Sequence, residues 1–254
     1  MIPKIIHYVW LGGNKKNLLI KKCMKTWKKR CPDFQIKCWN ESNIPRNDWV
    51  DSALAKRKWA FVADYVRLYA LYQEGGIYLD TDVFLNKSLD SLLDTDFFIP
   101  IEMNEKTFYD THSDKKLHNG KKLPAYENDV IHGLTAQSGI IGSAAGSGIV
   151  ETIMHYYESN VFAENKVALL APNVIAKRLE KFGFRYKNEN QVLHDSNFQT
   201  IGRILDTSYF ASGLSFPKQK DCIGIHAYSV SWKNYSFVKG IIHKAKIIVK
   251  TILL

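Results

Sequence analysis

The sequence has 254 residues, of which 46% are hydrophobic and 13% aromatic, which is enough for one domain with a sizeable core. Its formal net charge of +10 suits an anionic partner of any kind, whether nucleic acid, acidic lipid or a phosphorylated small molecule. No apolar run approaches the roughly 18 residues that a membrane-spanning helix needs, so we expect a soluble or peripheral protein.

Basic residues cluster in residues 15–30 and again in residues 233–250, which predicts two basic surfaces. The four cysteines lack the C-x-x-C spacing of a zinc site, and no signal-peptide pattern precedes them. We therefore expect reduced thiols in a cytoplasmic protein. The cysteines are Cys23, Cys31, Cys38 and Cys222.

The first elements form a strand, helix, strand series. Residues 5–10 are apolar and β-prone, residues 17–30 have helical character with a lysine-rich outer face, and residues 34–39 alternate as a strand does. Pro32 separates the helix from the second strand. This order predicts a βαβ opening and an α/β fold.

An amphipathic helix is predicted over residues 59–74, where apolar residues recur at helical spacing. Those residues are Phe61, Tyr65, Leu68, Tyr69 and Tyr72. Gly75 and Gly76 end the helix, and the strand that follows runs into Asp80 and Asp82. Ligands of open α/β sheets bind at this end of a strand.

The later chain contains further predicted elements. Residues 103–128 are polar and lack a sustained period, which predicts a long, mobile loop. Residues 140–142 form a short strand, residues 148–158 and 172–182 form helices, and residues 223–226 form a late strand.

Asp80 and Asp82 lie one residue apart in an extended segment, so their side chains point the same way. Mg²⁺ and Mn²⁺ take oxygen ligands and are commonly bound by one or two carboxylates together with substrate phosphates. A bare Asp-x-Asp is more often a pair of solvated turn aspartates. The preceding apolar strand, glycine turn and helix bearing Asp64 and Arg67 favour the metal site here.

With these motifs, the sequence resembles retaining glycosyltransferases of the type A fold that carry a DXD sugar-binding region, the family of yeast α-mannosyltransferases, bacterial capsule and lipopolysaccharide transferases and clostridial glucosylating toxins (glycosyltransferase family 32). The matching segments are residues 2–10, 63–67 and 75–82, and His226 followed by Ser231 and Trp232. The resemblance implies a Rossmann-like mixed central sheet flanked by helices.

The resemblance also implies roles for residues in the first hundred. Val9 and Trp10 match positions that contact the nucleotide base, although a buried strand tryptophan is the structural alternative. Asp64 would meet ribose or sugar hydroxyls and Arg67 the diphosphate, whose geometry the guanidinium fork suits. The alternative for this pair is a weak ion pair on the helix surface.

Other positions carry roles implied in the same way. A tyrosine at Tyr78 touches the donor in relatives, although core packing explains it equally well. Gln137 and Ser138 match donor-sugar contacts but depart from the asparagine often seen there. The residue at His226 is a third metal ligand in related enzymes, and its imidazole would favour Mn²⁺ over Mg²⁺. Ser231 and Trp232 match a lid over the donor phosphate.

The activity implied is metal-dependent transfer of a sugar from a nucleotide diphosphate donor, a UDP-sugar being favoured, with retention of configuration. The acceptor would be a hydroxyl of a glycan or lipid-linked glycan in capsule, lipopolysaccharide or exopolysaccharide synthesis. Catalysis would rest on Asp80, Asp82 and Arg67, and no residue identifies itself as a covalent nucleophile. This activity implies no nucleic-acid partner.

Two segments are expected, a glycosyltransferase domain over residues 1–236 and a basic amphipathic helix over residues 237–254. In the latter, apolar residues form one stripe and lysines lie broadly opposite, the pattern of a helix that lies on an anionic membrane surface. Docking on the core is the alternative. A membrane contact would place the protein at the inner face of the cell membrane.

Three rival functions remain open. Haloacid-dehalogenase-like phosphatases also place Asp-x-Asp at a strand end, but they have Thr or Val at the position where this chain has Phe84. A basic nucleic-acid-binding module is supported by charge alone. A protein-modifying toxin fragment would share the fold, although 254 residues leave little space for delivery domains.

Overall fold

A computed structural model describes residues 1–163, 170–213 and 221–228. Its helices are α1 (Leu18–Arg30), α2 (Asp48–Ala55), α3 (Trp59–Glu74), α4 (Glu105–Asp110), α5 (Gly148–Glu158) and α6 (Ala171–Leu179). Its strands are β1 (Ile5–Val9), β2 (Gln35–Trp39), β3 (Gly76–Leu79), β4 (Val83–Leu85), β5 (Phe97–Met103), β6 (Leu117–His118), β7 (Lys121–Lys122), β8 (Leu134–Ala136), β9 (Ile140–Ser143), β10 (Gln191–His194), β11 (Thr200–Leu205), β12 (Phe210–Ser212) and β13 (Gly224–His226).

The central sheet is mixed and has the strand order β10-β11-β5-β9-β3-β1-β2, with β8 paired to β5. Strand β1 runs parallel to both β2 and β3, which confirms the predicted βαβ opening. Strand β9 lies antiparallel to β3 and to β5. A smaller sheet, β12-β13-β4, holds the late strand against the segment that follows the acidic pair.

Helix α1 begins where Asn17 accepts a hydrogen bond from the backbone N–H of Ile20, a standard N-cap. Its inner face is fully covered, and the Trp27 indole N–H donates to the carbonyl oxygen of Val83 at 2.7 Å. This bond ties α1 to the small sheet. The helix begins one residue later than predicted, the first strand ends one residue earlier, and the second strand begins one residue later.

Helix α3 has the predicted bounds, and its buried face includes part of the predicted stripe but is wider than that stripe. Val62, Val66 and Leu71 are fully buried, whereas Phe61 and Tyr69 of the predicted stripe are only partly buried. The helix packs against both the sheet and α5, so it is covered over a wider arc than a surface helix is.

The turn between α3 and β3 needs glycine at two successive positions. Gly75 and Gly76 have φ values of +67° and +109°, the region that glycine alone adopts readily. A Cβ on Gly76 would lie 2.7 Å from the carbonyl oxygen of Ile5. The turn therefore lets β3 enter the sheet directly beside β1.

The prediction of a long, mobile loop over residues 103–128 is wrong. This region contains α4, two short 3₁₀ turns and the hairpin β6–β7, whose turn residues Asn119 and Gly120 both have positive φ. An ion pair between Lys116 and Asp129 at 2.6 Å ties the region down. The polar residues of this region form short turns and a hairpin, so the absence of a helical or strand period did not mean disorder.

No helix within the described residues is long and apolar enough to cross a membrane. The predicted helix at residues 237–254 lies outside the described residues, as do Ser231 and Trp232. The two-segment division of the chain therefore stays a prediction.

Candidate active site

Three side chains of the types that ligate metals converge at the end of β3. One ligand atom from each of Asp80, Asp82 and His226 lies within 4.8 Å of the others. Asp80 follows β3 directly, and its N–H donates to the carbonyl oxygen of Gly139 at 2.8 Å. His226 reaches the group because β13 pairs antiparallel with β4, which sets His226 opposite Val83.

The group has the character of a cation site. His226 Nε2 lies 3.2 Å from Asp82 Oδ1 and 3.6 Å from Asp80 Oδ2. Burial would lower the pKa of His226, but Asp82 and Asp80 outweigh it and raise the pKa to about 9. His226 Nδ1 is buried and has no hydrogen-bond partner within the described part of the chain. Two carboxylates and an imidazole fit Mn²⁺ or Mg²⁺, and the nitrogen favours Mn²⁺.

Gly139 keeps this site open. A Cβ at position 139 would lie 2.8 Å from both Asp80 Oδ2 and His226 Cε1. Such contacts require the ligand side chains to move, because real Cβ atoms do not approach so closely. Sequence reasoning missed this role, since Gly139 appeared only as the residue before a short strand.

Asp64 and Arg67 form a buried pair rather than the surface ion pair that the spacing allowed. Both are under 10% exposed, and Arg67 Nη2 donates to Asp64 Oδ1 at 2.8 Å. Arg67 Nη1 donates to the carbonyl oxygen of Ser138 at 2.5 Å and lies 3.6 Å from Asp80 Oδ1. The guanidinium is therefore fixed beside the metal-binding group.

Burial dominates the pKa of Asp64, whereas neighbouring acidic groups dominate that of Arg67. Burial raises the pKa of Asp64 to about 7, because the loss of hydration outweighs the attraction of Arg67 and Asp80 adds repulsion. Burial alone would lower the pKa of Arg67, but the neighbouring acidic groups raise it above its ordinary value. Arg67 thus remains a fixed positive charge in the site.

Tyr78 contacts both Arg67 and Asp80. Its ring lies 4.7 Å from the Arg67 guanidinium, a cation–π contact, and its hydroxyl donates to Asp80 Oδ1 at 2.8 Å. Only 2% of the residue is exposed, so core packing and a site role are combined in one side chain. Tyr78 orients Arg67 and Asp80.

A cavity of about 510 Å³ opens onto these groups, a size typical of small-ligand sites. Val9, Trp10 and Ser138, all predicted donor-binding residues, line it. Trp10 is only partly buried, and its indole N–H donates to the carbonyl oxygen of Asn14 at 2.8 Å. The structure therefore places Trp10 at the cavity rather than in the core.

Gln137 does not line the cavity, contrary to the sequence-based expectation. Its side chain is fully buried, and Nε2 donates to Ser212 Oγ at 3.0 Å. Ser138, in the turn between β8 and β9, lines the cavity, whereas the Gln137 side chain points away from it.

Part of the chain matches a known protein family. Residues 19–99 match the family model described as the glycosyltransferase sugar-binding region containing a DXD motif. The matched segment contains the acidic pair Asp80 and Asp82.

One curated relative is inositol phosphoceramide mannosyltransferase 3 of Schizosaccharomyces pombe, 34% identical to this chain over 102 residues. The match covers 36% of this chain and 27% of that enzyme. The matched part of the chain therefore spans only about a quarter of the length of this relative.

Among solved structures, a glycosyltransferase involved in glycosylation of the major capsid of PBCV-1 is 12% identical, with a TM-score of 0.50 over 98% of this chain and 100% of the other. The PaToxG glycosyltransferase is 21% identical, with a TM-score of 0.48 over 70% of this chain and 69% of the other. The type A glycosyltransferase fold predicted from the sequence is confirmed.

The DXD sugar-binding region supplies only part of the site. Residues 19–99 include Asp64, Arg67, Tyr78 and the acidic pair, whereas the candidate ligand His226 lies beyond them. The cavity wall also draws on the first strand and on the segment after α5.

Glu102 and Tyr228 are further site residues that sequence reasoning missed. Both line the cavity, and the Tyr228 ring lies 4.3 Å from the His226 ring. Burial raises the pKa of Glu102, opposed by His226 and by a hydrogen bond from Tyr228. A lone acidic residue near the end of the apolar strand β5 was the available signal for Glu102. Tyr228 carried no comparable signal.

Proposed function

We propose that the protein is a metal-dependent retaining glycosyltransferase that moves a sugar from a nucleotide diphosphate sugar, preferentially a UDP-sugar, to a hydroxyl of a glycan acceptor. The observation that carries the proposal is the meeting of the Asp80, Asp82, His226 group with the buried Asp64–Arg67 pair in one cavity. The carboxylates suit a cation, and Arg67 suits the phosphates that the cation would bind.

The donor would lie along the cavity from the end of β1 to the acidic pair. Val9 and Trp10 supply apolar and aromatic surface for the base, and Asp64 supplies acceptor oxygens for ribose or sugar hydroxyls. Ser138 lines the sugar end, where its carbonyl oxygen already accepts from Arg67. This arrangement binds the donor at several separate points and so fixes its orientation.

Leaving-group departure would depend on charge stabilisation. A divalent cation held by Asp80, Asp82 and His226 would act as a Lewis acid on the diphosphate. Arg67 adds a positive charge whose position is fixed by Asp64, Ser138 and Tyr78, so little reorganisation is needed during reaction. No separate general acid is then required on the leaving-group side.

Retention of configuration is part of the proposal, with the acceptor hydroxyl attacking from the face that the diphosphate leaves. We assign no covalent nucleophile. Ser231 and Trp232 would close over the donor phosphate and exclude water. The acceptor would be a glycan or lipid-linked glycan of the cell surface, assembled at the cytoplasmic side of the membrane.

The first test is a donor screen with purified full-length protein and Mn²⁺ that follows nucleotide diphosphate release from UDP- and GDP-sugars. We expect release from one donor, and its loss in an Asp80→Asn/Asp82→Asn variant. The matched control is Asp94→Asn/Asp110→Asn, which changes two aspartates that are 76% and 59% exposed. This control should keep full activity.

Stereochemistry is measured separately, from the anomeric coupling of the transferred sugar by NMR. Inversion would refute the retention part of the proposal and leave the transferase activity standing. Failure to bind or turn over any donor, combined with phosphate release from phosphoesters, would refute the transferase proposal in favour of the phosphatase. Tight binding of oligonucleotides with no donor binding would favour the nucleic-acid-binding module.

A further inference from the structure

Positive charge is concentrated in α1 and the loop that leads into it. The protein has 35 basic and 25 acidic side chains. Residues 15–30 contain eight of the basic side chains and no acidic one, so the rest of the chain has 27 basic and 25 acidic side chains. One helix and its preceding loop therefore account for most of the net charge of +10.

The basic residues of α1 form one stripe on its outer face. Helical spacing of i, i+3, i+4, i+7, i+10 and i+11 aligns Leu18, Lys21, Lys22, Lys25, Lys28 and Lys29. The opposite face, with Leu19, Ile20, Cys23 and Trp27, is buried. At 1.5 Å per residue the stripe is about 16 Å long.

Four lysines of this stripe make no ion pair that the fold uses within the described ranges. Within the described ranges, Lys21, Lys25, Lys28 and Lys29 make no ion pair, whereas Lys4 pairs with two aspartates. Cations in the last turn of a helix are favoured by the helix dipole, which accounts for Lys28 and Lys29. The dipole does not account for Lys21 and Lys25, which lie in earlier turns.

The stripe begins at the rim of the candidate active site. Lys15, Asn17 and Ile20 line the cavity, and Leu18, at the same end of α1, is 70% exposed. An exposed leucine at the head of a row of lysines combines an apolar contact with positive charge. A surface that covers α1 therefore meets the edge of the cavity.

We propose that the outer face of α1 docks on an anionic lipid surface, with Leu18 at the interface and the lysines on phospholipid headgroups. Lysine is a compact point charge suited to a diffuse layer of phosphates, while arginine forks and amide side chains read nucleic acid. Helix α1 has five lysines and one arginine. Docking here would bring the cavity to acceptors carried in the lipid layer. Lipid docking by α1 does not depend on the proposed reaction, and it can be measured without a sugar donor.

The test is co-sedimentation of the full-length protein with vesicles of phosphatidylcholine alone or with about 30% phosphatidylglycerol, an anionic lipid. We compare the wild type with Lys21→Gln/Lys25→Gln/Lys28→Gln/Lys29→Gln. A matched variant, Lys56→Gln/Lys115→Gln/Lys121→Gln/Lys181→Gln, removes the same charge from four other exposed lysines. We expect binding to anionic vesicles only, weakened about tenfold or more in the α1 variant and retained in the matched variant.

Unfolding temperatures establish that each variant is folded, and Leu18→Ser, expected to weaken binding severalfold, gives a second reading with the charges intact. Equal binding by the wild type and the α1 variant, or no binding by the wild type, overturns the proposal. So does a loss confined to Lys239→Gln/Lys244→Gln/Lys246→Gln/Lys250→Gln, which would place the contact in the C-terminal segment. Preference for duplex DNA over vesicles at equal phosphate would identify a nucleic-acid surface instead.

Discussion

His226 Nε2 lies 3.2 Å from Asp82 Oδ1, although the two residues come from distant parts of the chain. Backbone hydrogen bonds fix this distance, because β13 pairs with β4 and the N–H of Ala227 donates to the carbonyl oxygen of Asp82 at 3.0 Å. The ligand group is therefore positioned by sheet geometry, and a cation would not have to assemble it.

The first prediction concerns metal binding. Mn²⁺ that binds only the folded protein raises its free energy of unfolding, by about 2.7 kcal/mol when free Mn²⁺ is about a hundred times its Kd. We expect this gain in the wild type, its reversal by EDTA, and a gain below about 1 kcal/mol in His226→Gln, which loses a ligand. Urea unfolding with and without Mn²⁺ measures it.

The control for this variant is His118→Gln, which changes an exposed histidine outside the metal-binding group and should keep the full gain. An unchanged Mn²⁺ effect in His226→Gln would remove His226 from the ligand set and leave the two aspartates alone.

The second prediction concerns Gly139→Ala. The added methyl group would lie 2.8 Å from both Asp80 Oδ2 and His226 Cε1, so these ligands must move apart. We expect Mn²⁺ affinity and transfer activity to fall at least about tenfold, since displaced ligands lose their common geometry. Calorimetric titration with Mn²⁺ checks this directly. Gly148→Ala is the matched control, because its Cβ meets no atom within 4 Å; equal Mn²⁺ affinity in the two variants would contradict the steric argument.

Local pattern was sufficient to predict α3, the glycine turn and the acidic pair, because each depends on residues close in sequence. The period of α3, the pair Gly75-Gly76 and the apolar residues of β3 all lie within residues 59–79. The type A fold followed from resemblance of this segment to a family. The broad burial of α3 could not be predicted, because a single stripe of apolar residues does not reveal a second layer that packs on the helix.

Long-range pairing was the part that sequence could not supply. That Gly139 lies against Asp80 and His226 depends on β9 pairing with β3 and β13 pairing with β4. The same limitation explains Gln137, for which resemblance to relatives implied a donor contact, although its buried side chain bonds to Ser212. His226 was predicted through resemblance, not through spacing.

The third prediction concerns pH. Burial would raise the pKa of Glu180, but hydrogen bonds from Lys122, Tyr186 and Lys177 outweigh it and lower the pKa below 4.5. The unfolded chain then binds the proton more readily than the folded one, so this cluster stabilises the fold above about pH 4.5 and loses that effect as the pH falls through the lowered pKa.

Glu180→Gln should accordingly be less stable than the wild type by about 1 to 3 kcal/mol at pH 7, with the difference shrinking below pH 4.5. Urea unfolding at a series of pH values from 7 to about 3 measures it. Glu189→Gln, at an exposed position, should show no such trend. A difference that stays constant across the series would assign the effect to packing rather than charge.

The last prediction separates the two contributions of Arg67. Its guanidinium neutralises the buried Asp64 at 2.8 Å and lies 3.6 Å from Asp80, so it serves the fold and the site at once. Arg67→Met leaves Asp64 without its charged partner and should cost about 3 to 5 kcal/mol of stability. Adding Asp64→Asn removes the stranded carboxylate, and we expect the double variant to recover at least about 1 kcal/mol of that loss.

Activity should respond differently from stability in this cycle. The double variant still lacks the fixed positive charge beside the diphosphate, so its kcat should stay about a hundredfold or more below the wild type even where the fold is restored. Unfolding in urea and initial rates with the preferred donor, measured on the wild type, both single variants and the double variant, give the two readings. Recovery of kcat together with stability would show that Arg67 acts only through Asp64 and would end its assignment to the diphosphate.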